Sequence, residues 1–279
     1  MKIKDLIISQ IRKKRQIDVG EFIELCQFSE NGYYINNNPI GQNSDFITSP
    51  EISQMFGEII GVFLINFWEK HIQRDFNLIE LGPGVGTLTE DIIRVASINK
   101  DFLNSTNLFL IEKNQVLIKK QKDRLSNLNV KNLKWCKNFD IKNDKPSIVY
   151  SNEFFDCFPI RQFFRKQKWY EKIIKYNNSK KLFNFESEEI KNEKLLQSLE
   201  KFNYAGVAEI SKTRKNYYDS VCKFIKNNKG IFFTIDYGYK TFPKNFSLQT
   251  IHRHKKTHLF ENIGNQDITA HVDFDELIK

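Results

Sequence analysis

Glu80-Leu81-Gly82-Pro83-Gly84-Val85-Gly86 follows the apolar run Asn77-Leu78-Ile79 and precedes a helical pattern from Thr87 to Val95. Strand, glycine turn and helix in that order bring a backbone close to a bound phosphate or nucleoside. Such a turn needs residues without a Cβ, both for left-handed φ values and for close approach. Glycine occupies every second position, 82, 84 and 86. A dinucleotide fingerprint would place its third glycine at position 87, which is Thr87, so that fingerprint fails. A P-loop needs Gly-Lys-Ser/Thr after the turn, and that is absent too. The turn alone leaves two readings open, a nucleoside cradle or a helix-capping loop in any α/β protein.

A second stretch bears on that choice. Leu108-Phe109-Leu110-Ile111-Glu112 is an apolar run ending in an acid, as a second parallel strand would. A carboxylate at such a strand end can accept hydrogen bonds from both ribose hydroxyls. The alternative for Glu112 is a solvated strand end, but its distance from the glycine turn favours ribose binding. An acid followed by Gly-x-Gly-x-Gly is the pattern of class I S-adenosylmethionine methyltransferases.

Working outward, the pattern predicts strands at 77–81, 108–112, 133–136 and 147–151, with helices at 87–97 and 114–126 between them. That alternation means a parallel sheet with crossover helices. After Asn152-Glu153 the rhythm changes. Residues 162–175 and 181–185 read as antiparallel strands, then 190–202 and 211–227 as helices, before an apolar strand resumes at Gly230. Upstream, two helices are expected within residues 1–28, and Tyr33-Tyr34-Ile35 reads as a short strand or extended segment. One helix is expected from Ser49, as N-cap with Pro50 behind it, to about Lys70. Its apolar face is read as Ile52, Met55, Phe56, Ile59, Ile60, Phe63 and Phe67. Glu51 and Gln54 in its first turn either face a ligand or only cap the helix.

Four segments result: a helical extension at 1–76, a cofactor-binding Rossmann-like core at 77–153, an inserted α+β lobe at 154–229, and the fifth strand with the C-terminal part at 230–279. The fold class is α/β, class I methyltransferase-like. A seven-stranded sheet would need two more strands, for which the sequence holds no pattern.

Bulk composition narrows the classes. The 279 residues hold no run of about twenty apolar residues, so no membrane span is expected. Four cysteines lie far apart without Cys-x-x-Cys, which fits neither a zinc site nor a disulfide framework and suits a reducing compartment. His252, His254 and His258 cluster without supporting ligand spacing, so no metal is expected. The net charge of +9 comes from scattered lysines. A nucleic-acid partner is therefore not expected on charge alone. Residue 1 starts a helical pattern with no leader before it, which suggests a bacterial cytoplasm, or a mitochondrial matrix in a eukaryote.

In an open parallel sheet, ligands gather at strand carboxyl ends near the point where strand order reverses. The fourth strand end reads Asn152-Glu153-Phe154-Phe155-Asp156. Amide and base methyltransferases often carry Asn/Asp-Pro-Pro-aromatic there. Here two carboxylates stand instead, suited to bidentate pairing with a guanidinium. Glu153 is read as catalytic. Asp156 is read as catalytic or as a helix cap.

Together these motifs resemble the MidA-type methyltransferases, a family that includes the mitochondrial protein arginine methyltransferase of complex I assembly. The resemblance is carried by Gly32-Tyr33-Tyr34, by Asp45-Phe46-Ile47-Thr48-Ser49-Pro50-Glu51-Ile52-Ser53-Gln54-Met55-Phe56-Gly57-Glu58 and by Glu80-Leu81-Gly82-Pro83-Gly84. It continues through Asn152-Glu153-Phe154-Phe155-Asp156, Glu209-Ile210-Ser211, Asp236-Tyr237-Gly238 and the run from Asp267 to Phe274. The chain departs from the family at Ser44, usually glycine, and at Val85, usually basic. The resemblance implies S-adenosylmethionine as methyl donor and symmetric dimethylation of an arginine on a respiratory complex I core subunit. It implies a cofactor role for Gly82, Gly84 and Glu112, with Asn152 and Glu153 near the transferred methyl; Glu80, Gly86 and Asn152 complete the expected cofactor-binding set, and Glu153 and Asp156 are the expected catalytic pair. A homodimer is left open. The competing classes are an RNA methyltransferase and a non-catalytic assembly factor.

Overall fold

The computed structural model describes residues 2–36, 48–128, 130, 132–142, 144–241 and 243–278. The segment Asp45-Phe46-Ile47 of the resemblance, and Ser44, lie outside the described residues.

The chain opens with α1 (Ile3–Lys14), β1 (Ile17–Asp18) and α2 (Val19–Phe28). Asp18 caps α2, its carboxylate accepting the Glu21 amide at 2.8 Å. Then come α3 (Tyr33–Asn36), α4 (Ser49–Ile52) and α5 (Gln54–His71). The Tyr33-Tyr34-Ile35 segment, expected to be a strand or extended, is helical. Tyr33 is buried with its ring edge-on to Tyr34, which stacks on Phe28, so packing overrides the strand preference of aromatic residues.

The long helix expected from Ser49 is two helices. Thr48, not Ser49, is the N-cap, with Glu51 completing a capping box and Pro50 in the first turn. Ser53 is extended (φ −147°, ψ 117°), and its amide still reaches the Ser49 carbonyl, closing α4 after one turn. The buried stripe matches the expected one at Ile60, with Phe56 and Phe67 packed against the same core, and differs elsewhere. Gly57, Ile60, Gly61, Leu64 and Trp68 face inward, while Ile52 (75% exposed), Met55 and Ile59 (63% each) face out.

The next elements are β2 (Phe76–Leu81), α6 (Thr87–Ala96), α7 (Lys100–Ser105), β3 (Thr106–Ile111), α8 (Gln115–Leu125), β4 (Asn132–Cys136) and β5 (Ser147–Asn152). They follow the expected order, with α7 as an addition capped by Asn99. Three antiparallel strands, β6 (Arg161–Arg165), β7 (Trp169–Asn177) and β8 (Leu182–Glu189), precede α9 (Glu193–Leu199). Strand β9 (Val207–Ile210), not anticipated, pairs with β6 before α10 (Lys212–Asn228) and β10 (Gly230–Ile235).

Two compact units emerge. One comprises residues 36–154 and 217–236, the other 1–35, 155–216 and 237–279. This division cuts across the four serial segments expected from the sequence.

The first unit is a parallel sheet in the order β10-β5-β2-β3-β4. Strand β2 is buried along its whole length. One face of the sheet sends Leu78 and Tyr150 into a core with Ile60, Leu64 and Ile92 of α5 and α6. The other sends Ile79, Leu81 and Val149 against Val221 of α10. Strand order reverses between β2 and β5, so their carboxyl ends flank the switch point.

The second unit holds an antiparallel sheet, β1-β7-β6-β9 with β8 on β7. The apolar faces of α1 and α2 (Ile3, Ile7, Ile11, Phe22, Ile23) share a core with Ile174 and Phe183 of this sheet. That shared core, with the β1–β7 pairing, is why the N-terminal helices and the lobe after residue 154 form one body.

Candidate functional site

The site builds from the carboxyl ends of β2, β3 and β5. The glycine turn opens as β2 ends, with Gly82 (φ 63°), Gly84 (φ 57°) and Gly86 (φ 87°) all left-handed. Gly82 needs glycine twice over. Besides its φ, a Cβ there would meet the Phe154 ring at 2.6 Å. Gly86 needs it for φ alone, since nothing lies closer than 3.5 Å to a Cβ at that position. The turn is tied down on both sides. The Gly82 amide donates to the Ile111 carbonyl (3.1 Å), the Gly86 amide to Pro83 (2.8 Å), and Gln121 Nε2 to the Gly84 carbonyl (2.8 Å). Gly86 is also the N-cap of α6 and supplies no side-chain cap. In the next position, Thr87 Oγ1 is buried with no hydrogen-bond partner among the described residues.

Glu80 sits one residue inside the strand and is 2% exposed. Its Oε2 accepts the Thr89 hydroxyl and the Tyr150 hydroxyl, the latter at 3.1 Å. Burial pushes its carboxyl up to about 7. Those bonds tie β2 to α6 and β5 from within.

Glu112 follows β3. Its amide donates to the Cys136 carbonyl (2.9 Å) and its Oε1 accepts the Asn114 amide (2.8 Å). Asn114 in turn caps α8 by accepting the Val116 and Leu117 amides. Burial raises the Glu112 carboxyl to about 7, against the lowering effect of the Asn114 and Lys113 amides and the Gln121 side chain.

At the end of β5, Asn152 Nδ2 donates to Glu153 Oε1 (3.1 Å), and Asn152 Oδ1 is buried without a hydrogen-bond partner among the described residues. Glu153 adopts φ 50°, an uncommon conformation for a residue with a side chain. Two clamps hold it there: its amide donates to the Ile235 carbonyl (2.9 Å), and the next amide, of Phe154, donates to Asp236 Oδ2 (3.1 Å). Its Oε1 also accepts the amide (3.3 Å) and hydroxyl (3.2 Å) of Ser49. Among the described residues no hydrogen bond reaches Oε2. Glu51 lies close enough for Glu153 to raise its carboxyl, although burial is the larger cause.

The structure thus gathers Glu80, Gly82, Gly84, Gly86, Glu112, Asn152 and Glu153 at the strand ends of one unit. Asp156 belongs to the other unit, where it is 8% exposed and its carbonyl accepts the Ala270 amide (2.9 Å). Sequence reasoning missed Thr87, Gln121 and the link from Ser49 to Glu153. Ser49 was visible only as a helix cap, and nothing local marks Gln121 as the brace of a turn 37 residues away.

A nucleoside-bearing sulfonium fits these residues. The turn presents bare backbone at three left-handed glycines, the Glu112 carboxylate can accept hydrogen bonds, and Thr87 Oγ1 and Asn152 Oδ1 are buried oxygens with no hydrogen-bond partner among the described residues.

Comparison with known proteins agrees with this chemistry. Residues 59–279 match the family model of S-adenosyl-L-methionine-dependent methyltransferases. The chain is 27% identical over 299 residues to the mitochondrial protein arginine methyltransferase NDUFAF7 homolog of Caenorhabditis elegans, covering 98% of this chain and 70% of that protein. It is 30% identical over 300 residues to NDUFAF7 of Danio rerio, with 98% and 70% covered. With NDUFAF7 of Xenopus laevis it shares 34% over 192 residues, 60% of this chain and 44% of that one. A crystal structure of a COG1565 superfamily member from Burkholderia thailandensis, bound to S-adenosyl-homocysteine, superposes with a TM-score of 0.85 at 20% identity, covering 99% of this chain and 74% of that one. At that identity the likeness is one of fold, Rossmann-like α/β.

Proposed function

Since the chain belongs to the S-adenosyl-L-methionine-dependent methyltransferase family, we propose that it transfers a methyl group to an arginine side chain of a protein. Its cofactor, S-adenosylmethionine, supplies a methyl on a positively charged sulfur. In this reading Glu112 accepts the ribose hydroxyls, the bend at Gly82, Gly84 and Gly86 admits the nucleoside against bare backbone, and Asn152 Oδ1 accepts a donor from the cofactor's amino-acid end. Glu80 acts one layer further in, holding the turn's strand against α6 and β5.

The observation that carries the acceptor reading is the Glu153 carboxylate. Its backbone is held in a left-handed conformation at the switch point, and three donors fix one oxygen while the other accepts none among the described residues. A carboxylate so fixed can take a guanidinium, orient one nitrogen for in-line attack on the methyl carbon and offset the positive charge on that group; the S–CH3 bond breaks as the N–CH3 bond forms, S-adenosylhomocysteine leaves as a neutral thioether, and the nitrogen gives up one proton to solvent. The printed names of the curated relatives, protein arginine methyltransferases, support the same acceptor. Asp156 is proposed as a second catalytic residue. The resemblance to the MidA-type family supports a complex I core subunit as the protein and symmetric dimethylation as the product. The compartment is read as a bacterial cytoplasm, or the mitochondrial matrix in a eukaryote; no helix among the described residues is long and apolar enough to cross a membrane.

The test is transfer from tritiated S-adenosylmethionine to isolated complex I core subunits, located by mass spectrometry. Label on an arginine, abolished in Glu153→Gln and reduced in Asp156→Asn, supports the reading. Label in RNA, or bound cofactor without any transfer, overturns it in favour of an RNA methyltransferase or a non-catalytic factor.

A further inference from the structure

We propose that Ser49 is a positioning residue for methyl transfer, acting through Glu153; the inference rests on the reading that Glu153 meets the acceptor. Ser49 gives Glu153 Oε1 two hydrogen bonds, one from its amide at 3.3 Å and one from its hydroxyl at 3.2 Å. It can do so because of how its own turn is built. Thr48 takes the capping duty, so the Ser49 hydroxyl is not spent on α4. Pro50 fixes the chain directly after it, and the Glu51–Thr48 box holds the turn from the other side. The break at Ser53 frees this single turn from the direction of α5. The result is a bracket whose first helical residue holds a carboxylate 104 positions later in the chain.

The grip has a chemical consequence. A Glu side chain has three rotatable bonds, and a loose one would spread its charge over several positions. Ser49, with Asn152 Nδ2, fixes Oε1 and thereby the plane of the carboxylate. Oε2 is left to meet the acceptor in one orientation. In-line transfer depends mainly on such placement, so removing the hydroxyl lowers turnover without weakening cofactor binding.

The experiment measures kcat, KM for the complex I core subunit preparation and Kd for S-adenosylmethionine in the wild type, Ser49→Ala, Ser49→Thr and Glu153→Gln. Expected for Ser49→Ala is a fall in kcat of about tenfold, the loss of one charge-assisted hydrogen bond, with cofactor Kd within twofold of wild type. Ser49→Thr, which keeps the hydroxyl, restores most of the kcat. A merely structural role would lower cofactor binding and kcat together in Ser49→Ala, and that result overturns the proposal. So does a Ser49→Ala enzyme with wild-type kcat beside an inactive Glu153→Gln. A Glu153→Gln enzyme with wild-type turnover sinks the Glu153 reading itself, and this inference with it.

Discussion

The Phe154 ring occupies the space that a side chain at residue 82 would need. A Cβ on Gly82 would lie 2.6 Å from Phe154 Cδ2, and the residue's φ is 63°. Gly82→Ala therefore carries two penalties, a left-handed alanine and a displaced ring next to Glu153. Gly86→Ala carries only the first. The left-handed conformation costs about 1–2 kcal/mol for a residue with a Cβ. Denaturant titration should show Gly86→Ala losing about that much and Gly82→Ala clearly more. Equal losses would mean that the ring is not held where the structure puts it.

Glu112 predicts a pH-dependent affinity. In the proposed role its carboxylate would accept two ribose hydroxyls; protonated, it would lose half that capacity. Burial holds its carboxyl up at about 7 in the free protein. Protons then compete with the cofactor, and Kd rises as pH falls through about 7. Glu112→Gln weakens binding about ten- to hundredfold, the range for losing a hydrogen bond to a charge, and flattens the pH dependence. Calorimetry at about pH 6 and about pH 8 reads both effects. A variant with the wild-type slope would place the titrating group elsewhere.

Glu80 predicts an effect on stability instead. Its carboxyl rises from 4.5 in the unfolded chain to about 7 in the fold. The folded state binds that proton more tightly, so the stabilisation is complete below pH 4.5 and is lost as pH rises through about 7. At about 1.4 kcal/mol per pKa unit the full loss is about 3 to 4 kcal/mol. Glu80→Gln, which cannot titrate, removes that share of the decline in unfolding free energy between about pH 5 and about pH 8. Identical slopes for the two proteins would contradict the buried arrangement with Thr89 and Tyr150.

The two stripes of α5 separate just as cleanly. Leu64 is fully buried between α5, α6 and the sheet, so Leu64→Ala costs about 2–5 kcal/mol. Ile59 is 63% exposed, so Ile59→Ala changes stability by about 0.5 kcal/mol or less. Thermal or chemical unfolding of the two variants decides which face the sheet covers.

That helix shows where sequence reading stops. Both stripes of α5 are apolar, so periodicity could not choose between them. The deciding residue was Gly57, which carries no hydrophobic signal. A Cβ there would come within 2.5 Å of Asp91 Cβ, so its bareness is what lets α6 close against that face. Local signals served well where the geometry is local. The glycine turn, Glu112 and the Asn152-Glu153 pair each stand at a strand end that periodicity could place. Long-range pairings left no such trace. The β1–β7 register joins residues 17 and 174, and Ser49 meets Glu153 across 104 positions. Neither partner's neighbours announce the other.

The most direct measurement is isothermal titration of S-adenosylmethionine into the wild-type protein and Gly84→Val. Residue 84 lies in the middle of the bend, with φ 57° and its carbonyl braced by Gln121. A branched side chain there would fill the volume assigned to the nucleoside. Saturable binding by the wild type and none by a folded Gly84→Val is the predicted result; equal binding by both would contradict it.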